Sequence, residues 1–130
     1  MPELPEVETV RLALLPALEN HRIITAHVGR PDLRWPLPEK LADRLTGRIF
    51  GAPQRRGKFL LVPLDGRETL LLHLGMSGSI RLHDSPPKLG AHDHFMLAMA
   101  PVDGEVATNF MVFNDPRRFG WIDLFSDEIH

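Results

Sequence analysis

The chain has 130 residues, of which 43% are hydrophobic and 25% charged, and it contains no cysteine. This length fits one domain, and the missing thiols exclude a disulfide framework and a thiolate zinc site. No stretch is apolar enough for a membrane span or a secretory signal, so we expect a cytoplasmic protein. The formal net charge of −2 argues against a nucleic-acid partner, although local clusters of positive charge matter more than the total.

The first predicted element is an amphipathic helix that ends near Asn20. Its apolar residues recur at the three- and four-residue spacing that turns one face toward a core. They are Val7, Val10, Leu14, Leu15 and Leu18. Pro5 suits the first turn, and Pro16 should kink the helix because it removes a backbone hydrogen bond.

Most of the remaining chain is predicted to form short strands. A strand at 23–28 is followed by a proline-rich loop at 30–38 and a short helix at 39–45, which Gly47 ends. Further apolar runs predict strands at 48–52, 58–64, 69–74, 79–83, 94–100, 110–114 and 120–125. Asp65-Gly66 is a typical hairpin turn. This order predicts a mainly β fold with flanking α, either a two-sheet β-sandwich or a flattened barrel, with the N-terminal helix packed against it.

The second residue could act as a nucleophile. If Met1 is removed, Pro2 carries the free N-terminal amine, and Glu3 places a carboxylate beside it. An N-terminal amine titrates near about 8, against about 10.4 for lysine, so more of it is unprotonated at neutral pH. Condensed with C1′ of a sugar, it would give an iminium that draws electrons from the neighbouring carbon. The alternative is structural, because Pro5 and Glu6 also suit the start of a helix.

The segment Gln54-Arg55-Arg56-Gly57-Lys58 places three cations directly before an apolar strand. They could contact phosphates, since lysine and arginine supply the sequence-independent part of nucleic-acid affinity. The alternative is a solvated turn with charged flanks.

Two turns could carry probes that enter a base stack. One is His73-Leu74-Gly75-Met76-Ser77-Gly78-Ser79, with a methionine at its tip, and the other is Asn114-Asp115-Pro116-Arg117-Arg118-Phe119-Gly120. An apolar wedge beside a forked arginine donor could hold open a duplex from which a base has been extruded. The alternative is that Met76 and Phe119 fold back into the core.

The segment His92-Asp93-His94 could bind a metal. Alternate residues of a strand share a face, so its two histidines could both be ligands. No third ligand follows at a suitable spacing, and we therefore expect no metal site.

Five segments together resemble the N-terminal domain of bacterial formamidopyrimidine-DNA glycosylase. They are Pro2 to Val10, Arg34-Trp35-Pro36, Gln54 to Lys58, His73 to Ser79 and Asp115 to Gly120. Any one of them is a weak signal, but all occur in the family's order and spacing and span essentially the whole chain. The resemblance implies a catalytic domain built as a β-sandwich, which agrees with the strand prediction.

The resemblance also implies a base-excision repair enzyme. Such an enzyme removes oxidised purines, including 8-oxoguanine and formamidopyrimidines, and then cleaves the abasic site by β/δ-elimination. Its expected partner is double-stranded DNA with the oxidised purine opposite cytosine. A monomer associated with the nucleoid in the bacterial cytoplasm is the expected form.

Roles for the catalytic and phosphate-binding residues follow from the same resemblance. Pro2 looks like the Schiff-base nucleophile on C1′, and Glu3 like the acid that assists opening of the sugar ring. Glu6 matches a second acidic position near the lesion pocket. Lys58 and His73 match phosphate-binding residues around the extruded nucleotide.

Three further residues match the group that fills the vacated base stack in the family. They are Met76, Arg117 and Phe119, with Arg117 facing the orphaned cytosine. This trio and the Pro-Glu-Leu-Pro start resemble the oxidised-purine branch more than the endonuclease VIII branch, which handles oxidised pyrimidines.

The chain also departs from the family. Family members continue into a second domain with a helix-two-turn-helix and a four-cysteine zinc finger, which these 130 residues lack. The resemblance therefore implies an isolated domain that is weak or inactive alone and has no cofactor, with zinc expected only in the missing domain. If Met1 is retained, Pro2 is an amide and cannot form the Schiff base. Compared with the usual family pattern, the segment 101–109 is a lengthened hairpin loop.

Two other functions stay open on the sequence. The chain could be a non-catalytic module that binds damaged DNA and probes it with the tips at Met76 and Phe119. It could also be a small-molecule-binding β-barrel, which the wedge-like tips disfavour.

Overall fold

The computed structural model describes residues 3–126 and contains, in that range, two helices and eight strands. The helices are α1 (Leu4–Leu18) and α2 (Leu41–Leu45). The strands are β1 (His21–Val28), β2 (Gln54–Arg56), β3 (Phe59–Pro63), β4 (Glu68–His73), β5 (Ser79–His83), β6 (Asp93–Pro101), β7 (Asn109–Asn114) and β8 (Trp121–Ser126). Neither helix is long and apolar enough to cross a membrane.

The strands form two four-stranded antiparallel sheets, ordered β1-β6-β7-β5 and β2-β3-β4-β8. Buried positions alternate along β3, as expected for a strand with one face toward the core. One hydrophobic cluster contains residues of both sheets together with Val7, Leu14 and Leu18 of α1. The predicted two-sheet sandwich with a packed N-terminal helix is therefore confirmed.

Helix α1 starts where the sequence predicts, with Pro5 in its first turn. The carbonyl of Glu3 accepts the first hydrogen bonds, from the backbone N–H groups of Glu6 at 3.0 Å and Val7 at 3.1 Å. The Glu3 side chain makes no capping hydrogen bond, so its carboxylate is not used to start the helix. The helix continues through Pro16 to Leu18.

The predicted strand at 48–52 is wrong. Its residues form only isolated bridges, one between Ile49 and Arg22 of β1 and one between Phe50 and Leu64 beyond β3. These partners belong to different sheets, so the segment divides its backbone hydrogen bonds between the two and cannot build a continuous ladder on either. The apolar pattern correctly indicates that Phe50 is buried, but it does not show that the segment passes from one sheet to the other.

The basic segment before β3 forms a short edge strand, β2, rather than the solvated turn that was one of the two alternatives for it. Arg56 pairs with Phe59, so Gly57 and Lys58 alone form the turn between β2 and β3. Gly57 has φ +59, a conformation that glycine adopts without the steric cost of a side chain. The predicted turn at Asp65-Gly66 is confirmed, since these residues connect β3 to β4.

Candidate functional site

A cleft of about 610 Å³ opens where three connecting segments meet: the loop after β1, the turn between β4 and β5, and the loop between β7 and β8. Its lining residues are Leu33, Arg34, His73, Gly75, Met76, Arg117, Arg118 and Phe119. The structure thus brings together the predicted site residues His73, Met76, Arg117 and Phe119. Three arginines and no carboxylate occur among these lining residues, so the cleft is locally basic although the whole chain is slightly acidic.

Asp115 organises the loop between β7 and β8 from inside the protein, where it is fully buried. Its carboxylate accepts the backbone N–H groups of Arg118 at 3.1 Å and Gly120 at 2.7 Å. The hydroxyl of Ser77 donates to the same carboxylate at 2.5 Å. Ser77 belongs to the first of two tips, which are the turn at 73–79 and the loop at 114–120. The backbone N–H of Arg117 in turn donates to the Ser77 hydroxyl at 3.2 Å. Charge-assisted hydrogen bonds of this kind are strong, so they hold the two tips together.

The two tips also meet through their backbones at Gly75. A Cβ atom at this position would lie only 2.5 Å from the carbonyl oxygen of Phe119 and 2.8 Å from the nitrogen of Gly120. Gly75 also has φ +64, which disfavours any side chain. Only glycine therefore allows the first tip to approach the second this closely.

The apolar side chains on the two tips are exposed. Met76 is 51% exposed and Phe119 is 43% exposed, and Arg117, which lines the same cleft, is also exposed. The alternative that Met76 and Phe119 fold back into the core is therefore wrong. Exposed apolar side chains beside a cation suit insertion between bases.

His73 lies at the end of β4, with its ring centroid 4.7 Å from that of Phe59. The backbone N–H of Gly75 donates to its Nδ1 at 3.1 Å, so a neutral His73 ring carries its proton on Nε2. Burial lowers the pKa of His73, and the positive charges of Lys58 and Arg34 lower it further. The side chain is thus a neutral N–H donor, which can serve a phosphate oxygen.

Lys58 connects this cleft with the start of α1. Its ammonium lies 3.7 Å from the carboxylate of Glu3, and its charge also acts on His73. Glu6 is exposed on the first turn of the helix. Pro2, the predicted nucleophile, lies outside the described residues.

Arg55, in the same basic segment as Lys58, also makes an ion pair with α1. Its guanidinium lies 2.9 Å from the carboxylate of Glu8, which Arg11 also binds at 2.6 Å. Hydrogen bonds from Arg11 and Arg55 lower the pKa of Glu8 to about 2. The pair ties α1 to β2 and so helps to fix the helix start near Lys58. Arg56 is exposed, as a phosphate-contacting residue would be.

The two histidine rings of the 92–94 segment lie near each other, with their centroids 6.3 Å apart. His92 precedes β6 and is exposed, whereas His94 lies in the strand and is buried. The Nε2 of His94 donates to the carbonyl of Asp115 at 2.8 Å, and Asp93 binds Arg81 at 2.9 Å. These side chains support the fold. In residues 3–126, no three His, Cys, Asp or Glu side chains cluster as metal ligands.

Sequence reasoning missed the roles of Asp115, Ser77 and Arg34. The sequence assigns Asp115 only the start of a turn, because its main partner, Ser77, is 38 positions away along the chain. Arg34 belongs to a matched motif without an assigned role, and the structure places it in the cleft. The only sign of this hydrogen bond in the sequence is that one turn contains a serine, Ser77, and the other an aspartate, Asp115.

Comparisons with known proteins agree with the motifs. The family model described as formamidopyrimidine-DNA glycosylase N-terminal domain matches residues 1–122. The formamidopyrimidine-DNA glycosylase of Azorhizobium caulinodans is 52% identical over 132 residues, which cover 92% of this chain and 43% of that protein. That of Cereibacter sphaeroides is 47% identical over 137 residues, covering 98% and 46%. The chain thus spans less than half the length of these relatives.

Solved structures of the Lactococcus lactis formamidopyrimidine-DNA glycosylase share the fold. The enzyme bound non-covalently to DNA containing an abasic site matches with a TM-score of 0.82 at 32% identity, over 96% of this chain and 45% of that one. Its complex with DNA containing N7-benzyl-Fapy-dG matches with a TM-score of 0.83 at 32% identity, over 97% and 44%. Because the family model covers almost all of the chain and the relatives are about half identical to it, this chain belongs to the formamidopyrimidine-DNA glycosylase family.

Proposed function

We propose that this chain is the N-terminal catalytic domain of a bifunctional DNA glycosylase and AP lyase. Its substrate is double-stranded DNA with an oxidised purine, 8-oxoguanine or a formamidopyrimidine, opposite cytosine. It removes the base and cleaves the abasic site by β/δ-elimination, acting as a monomer on bacterial nucleoid DNA. The observation that carries the proposal is the convergence of exposed Met76, Arg117 and Phe119 on one basic cleft that Lys58 joins to Glu3.

The duplex is held open by the two tips. Met76 and Phe119 insert into the stack that the extruded nucleotide leaves, and Arg117 offers its forked donors to the orphaned cytosine. His73 and Lys58 bind phosphates beside the extruded nucleotide, one as a neutral N–H donor and the other as a cation. Glu6, exposed on the first turn of α1, takes the second acidic position near the lesion pocket that the family resemblance implies.

The bond-breaking steps use the N-terminal amine. The nitrogen of Pro2, freed by removal of Met1, attacks C1′ and displaces the oxidised base. The attacking nitrogen passes its proton to the Glu3 carboxylate, and the departing base takes a proton from water. Glu3 then gives its proton to the ring oxygen of the sugar, the ring opens, and the regained nitrogen lone pair completes an iminium. Loss of a C2′ proton then expels the 3′ phosphate, because the iminium accepts the electron pair. The carboxylate of Glu3 is available for this role since it does not cap α1.

Zinc is expected only in a second domain. The family resemblance implies a zinc finger there, and this chain has no cysteine to ligate one. We expect the chain alone to be weak or inactive, because a second domain would grip the opposite side of the duplex.

The test is cleavage of a duplex with one 8-oxoguanine opposite cytosine, beside a matched guanine:cytosine duplex. The chain, or the chain extended through a second domain, should cut only the damaged strand. Glu3→Gln should lower the rate at least about 100-fold, the loss typical of a general acid. Glu19→Gln, which changes an exposed carboxylate just beyond the other end of α1, is the matched control and should not. Binding without cutting, even by the extended chain, would instead support a non-catalytic module.

A further inference from the structure

The Ser77 hydroxyl belongs to the turn between β4 and β5 and makes two hydrogen bonds to the loop between β7 and β8. It donates to Asp115 at 2.5 Å and accepts the backbone N–H of Arg117 at 3.2 Å. A hydroxyl can donate one hydrogen bond and accept others through its lone pairs, so the two hydrogen bonds can form at the same time. Ser77 directly follows Met76, and the hydroxyl therefore couples the backbone of one inserting tip to that of the other.

Asp115 fixes the direction of this hydroxyl. The buried carboxylate is itself held by two backbone N–H groups of its own loop and cannot turn away without losing them. The donated proton of Ser77 is therefore committed to Asp115, which leaves its lone pairs toward Arg117. Close backbone packing of Gly75 against Phe119 keeps the tips in register around this bridge.

We propose that Ser77 is a positioning residue that makes the two tips enter DNA as a single preassembled wedge. The inference rests on the proposed function, in which the tips fill an emptied base stack. Without the hydroxyl, Met76 and Phe119 remain on their loops, but each adjusts to the duplex separately. The backbone N–H of Arg117 also loses its hydrogen bond to Ser77, which holds Arg117 in place in the cleft.

Amide exchange in the free chain tests the bridge without DNA. Proton exchange with water, measured by NMR, should be at least about fivefold faster at the Arg117 amide in Ser77→Ala, as expected for loss of one hydrogen bond. Ser77→Thr keeps a hydroxyl and should stay near the wild-type rate. The amide of Leu72, in the core strand β4, is the internal control. An unchanged Arg117 amide in Ser77→Ala would overturn the proposal.

A double-mutant cycle tests the wedge on DNA. Affinity for a duplex with a tetrahydrofuran abasic-site analogue opposite cytosine is measured at low salt for Met76→Ala, Phe119→Ala and the double variant. If the tips act as one unit, the double variant should lose less than the product of the single losses, by at least about threefold. That coupling should vanish in the Ser77→Ala background and return with Ser77→Thr.

The outcomes separate this inference from the proposed function. Coupling that persists in Ser77→Ala would overturn the role of Ser77 while leaving insertion by the tips intact. If neither Met76→Ala nor Phe119→Ala weakens binding of the abasic duplex, insertion itself fails and the role of Ser77 fails with it. Faster Arg117 exchange together with Ser77-dependent coupling would support both.

Discussion

At the scale of single residues, His73 is suited to hydrogen bonding rather than to carrying charge. Its ring is partly buried against Phe59, its Nδ1 is occupied by the Gly75 N–H, and Lys58 and Arg34 repel a proton. All of these contacts favour the neutral ring, and the Gly75 hydrogen bond places its proton on Nε2. In the proposed function, the positive charge that DNA phosphates require then comes from Lys58 and from the arginines of the cleft.

The first prediction concerns this pKa. An NMR titration of the His73 ring should give a pKa below about 6.5, the ordinary value for histidine. Lys58→Met should raise it, because one of the repelling charges is removed while burial stays the same. A pKa at or above the ordinary value in the wild-type chain would contradict the geometry.

The same shift predicts how stability depends on pH. Below about pH 6.5 the unfolded chain binds a proton at this histidine that the folded chain resists, so the contribution of His73 to stability falls as the pH falls. His73→Gln should reduce this part of the pH dependence in thermal unfolding followed between about pH 7 and pH 5. His27, which is exposed on β1, provides the matched His→Gln control.

At the scale of elements, the tips depend on one close backbone approach. Gly75 has φ +64, and a Cβ there would overlap the Phe119 carbonyl. Gly57, in the turn between β2 and β3, has a nearly equal φ of +59, but a Cβ there would meet no other atom of the described residues within 4 Å. The two glycines therefore share the same conformational demand and differ in crowding alone.

This pair gives a matched test. Gly57→Ala should cost about 1–2 kcal/mol, the penalty for a left-handed alanine. Gly75→Ala should cost about 1–3 kcal/mol more, since overlapping atoms must also move apart. Chemical denaturation measures both, and equal losses would show that the tips do not pack as described.

The sequence predicts where helices and turns lie more reliably than it predicts which distant segments they contact. Helix α1 and the two turns could be predicted, because helical spacing, glycine and Asp-Pro act locally. The exposure of Met76 and Phe119 on these turns stayed open on the sequence and is resolved by the structure. The segment 48–52 could not, since it is divided between two sheets that local pattern does not describe. The role of Asp115 likewise depends on Ser77, far away in sequence, so only the folded chain reveals it.

At the scale of the whole molecule, a single core supports a site assembled from distant parts of the chain. The loop after β1, the end of β4 with the turn that follows it, and the loop between β7 and β8 meet at the basic cleft. Lys58 lies near it and pairs with Glu3 at the start of α1, although the chain as a whole carries a net charge of −2. Charge is therefore concentrated where a phosphate backbone would lie. The chain spans less than half the length of the curated relatives that it matches.

Borohydride trapping tests the central claim most directly. The chain, and the chain extended through a second domain, are incubated with an 8-oxoguanine:cytosine duplex and reduced. Intact mass establishes that Met1 is absent, and tandem mass spectrometry maps the adduct. We predict a covalent adduct on the nitrogen of Pro2 in Met1-free protein, and none when Met1 is retained. An adduct that maps to Lys58, or no adduct even from the extended Met1-free chain, would contradict the account.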